Sequence, residues 1–172
     1  MRTSIELSRF LCKNSTIPTR ETELTSQPNP NEKECIMTTV NLIEYEEAGE
    51  EVREVFDDIM STRQIDWINN FWKALAVQPE LLKRTWEGVK AVMAPGSLDP
   101  LFKEMVYVAV SATNACQYCI NSHTAAARKK GMTDDMLAEL MAVVGMANQT
   151  NALASGLQVD IDDVFKAGGK TS

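Results

Sequence analysis

The chain has 172 residues, 44% of them hydrophobic and 24% charged, with a formal net charge of −7. That length suits one domain, or one domain plus a tail, and the composition is that of an ordinary globular protein. The acidic balance leaves no basic footprint for nucleic acid and no polybasic stretch for an anionic membrane, and no window approaches the ~18 uninterrupted apolar residues of a membrane span.

Residues 1–36 read as a disordered or extended tail. The stretch NSTIPTRETELTSQPNPNEKE is rich in Ser, Thr, Pro and Glu and has almost nothing to bury. Glu6 and Arg9 interrupt the few apolar residues of the N-terminus, so no secretory h-region forms there. Four cysteines are too few for a disulfide-built scaffold, which makes a reducing cytoplasm the expected compartment. Two of them, Cys12 and Cys35, lie in the tail and suggest no function.

From Met37 to the end, residues 37–172, the pattern is helical throughout. Ala48, Val52, Val55, Phe56, Ile59 and Met60 recur at steps of three and four, the spacing of an amphipathic helix. IDWINNFWKALA repeats the pattern through Ile68, Phe71, Trp72 and Leu75. Pro79 suits the first turn of a helix carrying Leu82, Trp86, Val89 and Met93, which Pro95-Gly96 ends. The aromatic residues Trp67, Phe71, Trp72 and Trp86 are expected in the core or at a subunit interface.

Asp99-Pro100 is an N-cap followed by proline at the first helical position, and the helix it opens, LFKEMVYVAVSA, is apolar nearly all round and expected at the centre of the fold. Gly131 closes the next helix. Thr133 caps another, with Asp134 and Asp135 in its positive first turn. Met132, Met136, Met141 and Met146, in or beside that helix, read as core filling. No strand pattern appears, and the class is all-α with about six helices.

NACQYCINSH, residues 114–123, holds two cysteines and the single histidine of the chain. On a helix beginning near Thr113 or Asn114, Cys119 lies about 60° from Cys116 and His123 about 40° from Cys119, so the three share one face. The two cysteine Cα atoms would be about 5 Å apart, within the reach of a disulfide. First-turn N–H groups and the helix dipole stabilise a thiolate at either cysteine, and His123 is placed to take a proton from Cys119 or to pair with its thiolate. Glu104, on the preceding apolar helix, needs a partner if buried. His123 would supply one, and the pair would orient the imidazole and strengthen it as a base. A solvent-facing Glu104, or one paired with a lysine, is the competing arrangement.

The stretch GSLDPLFKEMVYVAVSATNACQYCINSHTAAARKKGM resembles the core of the carboxymuconolactone decarboxylase superfamily, and more closely its alkylhydroperoxidase D-like, peroxidase-related branch. Glu104, Cys116, Cys119 and His123 match that branch's glutamate twelve residues before a C-x-x-C-x-x-x-H. The likeness covers roughly residues 40–165 and includes the lead-in NFWKALAVQPELLKRTWEGVKAVM.

The resemblance implies an alkylhydroperoxidase D-like helical domain assembled as a trimer or hexamer. It also implies thiol peroxidase or disulfide reductase activity on organic hydroperoxides. On that pattern Cys119 is the peroxidatic cysteine, Cys116 resolves its sulfenic acid, and His123 with Glu104 relays the proton. One departure stands out: Tyr118 occupies the place where the best-known peroxidase of the branch has a histidine, and tyrosine can hydrogen-bond but is no base near neutral pH. The chain carries no nucleotide, flavin or haem motif and so no evident cofactor. Reducing equivalents are therefore expected from an external dithiol, a lipoylated protein or another thiol protein.

Three other readings compete. Cys116, Cys119 and His123 are three possible zinc ligands with Glu104 a poor fourth, although a structural zinc site usually adds a second C-x-x-C or another histidine. A decarboxylase acting on a lactone acid has no need of a dithiol. A non-enzymatic redox-sensing oligomer would oxidise slowly and persist in the oxidised form.

Overall fold

The computed structural model describes residues 38–166; the expected tail, with Cys12 and Cys35, lies outside them. The described residues contain six α-helices and no strand. They are α1 Glu50–Arg63, α2 Asn70–Leu75, α3 Pro79–Met93, α4 Pro100–Thr113, α5 Gln117–Lys129 and α6 Asp134–Gly156. Short 3-10 turns stand before α1 at Tyr45–Glu47 and after α6 at Asp163–Phe165. The chain divides into two compact units, one ending at Arg84 and the other beginning at Thr85.

In the first unit the expected stripe of α1 is the buried one: Val52, Val55, Phe56 and Ile59 lie inward, joined by Ala48 just before the helix. Ile68, Trp72, Ala76 and Leu82 complete this core. The segment leading into α1 is tied down by Ile43 N–H donating to the Lys73 carbonyl at 3.2 Å and by a Lys73–Glu44 ion pair at 2.6 Å. Arg63 lies 5.3 Å from the centre of the Trp72 ring. Of the aromatic residues expected in the core or at a subunit interface, Trp72 here and Trp86 in the second unit are buried, whereas Trp67 (55% exposed) and Phe71 (41%) lie at the surface, which leaves them the interface alternative. Ile68 takes the inward position ahead of α2, and a helix of six residues has room for few more.

The second unit is organised by its caps. The Asp99 carboxylate accepts from Leu101 N–H at 2.8 Å and Phe102 N–H at 3.3 Å, with Pro100 at the first helical position. Lys103 donates to the carbonyls of Val92 and Ala94, satisfying acceptors at the end of α3. Thr133 Oγ1 accepts from Met136 N–H at 3.1 Å and starts α6. Helix α4 packs against both α5 and α6. It buries Glu104, Val108 and Ser111, but Phe102, Val106 and Val110 are exposed. Helix α6 buries none of its 23 residues and exposes Val143, Met146 and Leu153. Met132 is buried as expected, while Met146 is not.

The junction between α4 and α5 differs from expectation. Neither Thr113 nor Asn114 caps α5: Thr113 is the last residue of α4, and Cys116 itself is the N-cap of α5. The cause is a reversal at Ala115, which adopts a left-handed φ of 53°. Ala115 N–H donates to Ala112 O at 3.2 Å and Cys116 N–H to Ser111 O at 3.0 Å, the paired bonds of a Schellman termination. The same pair of bonds closes α5, where Gly131 at φ 101° supplies the left-handed residue. Glycine adopts that conformation freely, while alanine does so at a cost of about 1–2 kcal/mol, so the first termination carries no glycine signal.

Candidate active site

The left-handed turn at Ala115 leaves only Asn114, Ala115 and Cys116 between α4 and α5 and places Cys116 at the N-cap of α5. Its sulfur accepts from Cys119 N–H at 3.3 Å, in the position a serine or aspartate cap would occupy. Cys116 and Cys119 are disulfide-bonded, with Cα atoms 5.4 Å apart, close to the separation expected from their spacing. Both cysteines are half-buried, and between them Tyr118 is exposed.

One turn beyond Cys119, His123 projects from α5 toward α4. Its Nδ1 lies 2.7 Å from Glu104 Oε2. The pair expected from the sequence is therefore formed, and the competing lysine is present as well: Lys130 Nζ donates to Glu104 Oε1 at 3.0 Å. Each oxygen of the carboxylate has its own donor. The Glu104 side chain is 7% exposed, against 21% for His123 and 39% for Lys130, so the acid lies deepest in the site.

Burial by itself pushes the Glu104 carboxyl up. Hydrogen bonds from His123 and Lys130, with the Lys130 charge beside it, outweigh that effect and hold it below the usual carboxylate value. An ionised Glu104 can only accept, so Nδ1 carries the hydrogen of the shared bond. In the neutral imidazole Nε2 is then left with the lone pair, able to take up a proton. Tyr107, one turn after Glu104 on α4, stacks on the imidazole with ring centres 3.9 Å apart and planes 13° from parallel. The ring is thus fixed by the bond at Nδ1 and by an aromatic face.

All four residues singled out by spacing fall in this one region of the second unit. Two neighbours were missed. Tyr107 carries the weak signal of standing three residues after Glu104 on the same helix face. Lys130 stands seven residues after His123, two turns along one face, but nothing in the local sequence ties it to Glu104, 26 residues earlier. Cys116 and Cys119 are bonded to each other and His123 Nδ1 is engaged by Glu104; among the described residues no group of three or more His, Cys, Asp or Glu is placed to hold a metal ion.

Fold and site together define an all-helical protein in which a C-x-x-C pair and a carboxylate-bound imidazole stand on one helix. The profile of the carboxymuconolactone decarboxylase family matches residues 79–161, which span α3 to α6. A solved structure, the core of the alkylhydroperoxidase AhpD from Rhodospirillum rubrum, is similar with a TM-score of 0.69 and 50% sequence identity, covering 76% of this chain and 98% of that one. An alkyl hydroperoxide reductase AhpD from Solibacter usitatus is 33% identical over 73 residues, 42% of this chain and 40% of its own length. Uncharacterized protein 4 in the cox locus of Paracoccus denitrificans is 33% identical over 78 residues, 41% of this chain and 70% of its own length. The chain belongs to the carboxymuconolactone decarboxylase family, in its alkylhydroperoxidase D-like branch.

Proposed function

We propose that this protein is a thiol-dependent peroxidase and disulfide reductase that reduces organic hydroperoxides through a Cys116–Cys119 dithiol–disulfide cycle. One observation carries the proposal: a C-x-x-C disulfide lies at the N-terminus of the helix that, one turn on, presents an imidazole held by a buried carboxylate. The names of the Rhodospirillum and Solibacter relatives support the choice of hydroperoxide as substrate.

In the proposed cycle the Cys119 thiolate attacks the terminal oxygen of ROOH. The O–O bond breaks, Cys119 becomes a sulfenic acid, and the alkoxide leaves as ROH with a proton from the His123 imidazolium. The Cys116 thiolate then attacks the Cys119 sulfur, and the sulfenic oxygen leaves as water after taking a second proton from the relay. An external dithiol, free or borne by a lipoylated or thiol protein, returns two electrons through a mixed disulfide. Glu104 keeps His123 oriented throughout, with its proton on Nδ1 and Nε2 available for exchange.

Such a cycle needs a compartment whose dithiol pool reopens the disulfide, consistent with the cytoplasm. No helix among the described residues is long and apolar enough to cross a membrane. The exposed apolar faces of α4 (Phe102, Val106, Val110) and α6 (Val143, Met146, Leu153) support assembly of several copies as a trimer or hexamer.

The test is a single turnover of reduced, metal-free protein with one equivalent of cumene hydroperoxide, followed by mass spectrometry of the peptide holding both cysteines. Rapid formation of the Cys116–Cys119 disulfide, lost in Cys119→Ser, is the expected result. Thiols that stay reduced, or that oxidise no faster than a small-molecule thiol, would leave a slow redox-sensing oligomer as the better reading.

A further inference from the structure

The motif that identifies the site contains Glu104, Cys116, Cys119 and His123, but the structure joins a fifth residue to it. We infer that Lys130 is a positioning residue of the relay: it anchors the second oxygen of Glu104, keeps the acid ionised and thereby confines the mobile proton to His123.

Geometry carries the assignment. Glu104 is the one buried acid among the described residues, and its two oxygens are divided between His123 Nδ1 (Oε2, 2.7 Å) and Lys130 Nζ (Oε1, 3.0 Å). A carboxylate held at both oxygens cannot rotate without breaking one bond, so the Lys130 contact fixes where Oε2 meets the imidazole. His123 and Lys130 are seven residues apart, so α5 presents both to the same acid on α4. Lys130 is the C-cap of α5, yet its ammonium crosses to Glu104, while Arg128 in the same turn pairs with Asp134 at the surface. A lysine that served only the helix terminus would have no need of that crossing.

The charge has a chemical consequence. Among the described residues, Glu104 and Tyr107 of α4 touch the His123 ring, the Cys116–Cys119 pair stands at the start of α5, and Lys130 at its end reaches the ring's partner Glu104. Lys130 is the only permanent cation among these groups. It favours the ionised acid and disfavours a second positive charge on the imidazole. Glutamate and histidine titrate as a coupled pair, and removing the lysine charge moves the pair's proton uptake to higher pH. The imidazole would then hold its proton over a wider range and be less available as a base. That functional consequence rests on the peroxidase reading, whereas the charge effect on the pair does not.

Because His123 is the only histidine in the chain, its ring resonances are free of overlap from other histidines. The decisive experiment is an NMR titration of His123 in the oxidised protein, where the cysteines do not titrate, comparing wild type, Lys130→Gln and Lys130→Arg. Lys130→Gln keeps a donor and removes the charge, and is expected to raise the His123 midpoint by roughly half a unit to one unit. Lys130→Arg should stay within about a quarter of that shift from wild type. A midpoint that does not rise in Lys130→Gln, or that rises equally in Lys130→Arg, overturns the assignment. If Lys130→Gln does not fold, Lys130→Met is read in its place, and loss of folding in both uncharged variants but not in Lys130→Arg would assign Lys130 a purely structural role and overturn the proposal. A parallel pH profile of hydroperoxide reduction should show the acid limb moving with the NMR midpoint. Wild type inert to peroxide would defeat the peroxidase reading and leave the NMR comparison to decide the role of Lys130.

Discussion

Replacing Glu104 by glutamine tests the centre of the site with almost no change of shape. The carboxylate accepts from His123 Nδ1 and from Lys130 Nζ, one donor to each oxygen. A glutamine has a single acceptor oxygen, so its NH2 group must face whichever donor is left. A hydrogen bond to a charged group contributes about 1.5–3 kcal/mol, and a buried donor left facing another donor costs a comparable amount. Lys130 is 39% exposed and can turn to water, so its share is discounted. The expected loss is therefore about 2–3 kcal/mol at pH 7, measured by urea unfolding of the oxidised protein at fixed protein concentration with an unchanged m-value.

The pH dependence provides a second check with a defined sign. Glu104 is held below the usual carboxylate value in the folded state. Its contribution is fully present above the unfolded-state value of about 4.3 and is lost as the pH falls through the folded-state value. The gap between wild type and Glu104→Gln should thus be widest above about pH 5 and should narrow on acidification. A loss under about 0.5 kcal/mol at pH 7, or a gap that widens in acid, would show that desolvation cancels the network and would refute the reasoning.

Four further outcomes are expected. Gly131→Ala places a side chain at φ 101°, where no neighbour stands within 4 Å of the new Cβ, so backbone strain alone should cost about 1–2 kcal/mol in thermal or urea unfolding. Ala115→Gly, at φ 53° beside the cysteine pair, should change stability by less than about 1 kcal/mol because relief of strain is offset by a more flexible unfolded chain. Cys116→Ser should consume one equivalent of cumene hydroperoxide and accumulate a Cys119 sulfenic acid that dimedone traps, whereas Cys119→Ser should consume none; the reverse pattern would exchange the two cysteine roles. Val106→Glu puts a charge on the exposed apolar face of α4 and should shift the mass seen by light scattering from a multiple of the chain to one copy, with helicity by circular dichroism retained.

Where a cap is a matter of local chemistry, the sequence was a reliable guide. Asp99-Pro100, Thr133 and Gly131 start or end helices in the structure because each acts on backbone groups within a turn of itself. The spacing of Cys116, Cys119 and His123 determined their proximity for the same reason, since the three lie within two turns. Glu104 was legible for a different reason: an acid inside an apolar helix needs a partner, and the chain offers a single histidine.

What tertiary structure alone decided lies where local preference is weak or the partner is remote in sequence. Ala115 in a left-handed turn gives no glycine signal, so the start of α5 and the capping role of Cys116 were invisible. Trp67 and Phe71 share the composition of core residues but face outward, because hydrophobicity sets a preference for burial and not the helix face that receives it. Met136, Met141 and Met146 of α6 read as core filling, yet no residue of that helix is buried, because residue type does not say how much of a helix face its neighbours cover. Lys130 is one of many surface cations until packing of α5 on α4 brings it to Glu104, 26 residues earlier in the chain. Caps and spacings act over a few covalent bonds, so a reader of the sequence can follow them; the Lys130–Glu104 contact exists only because two helices pack together.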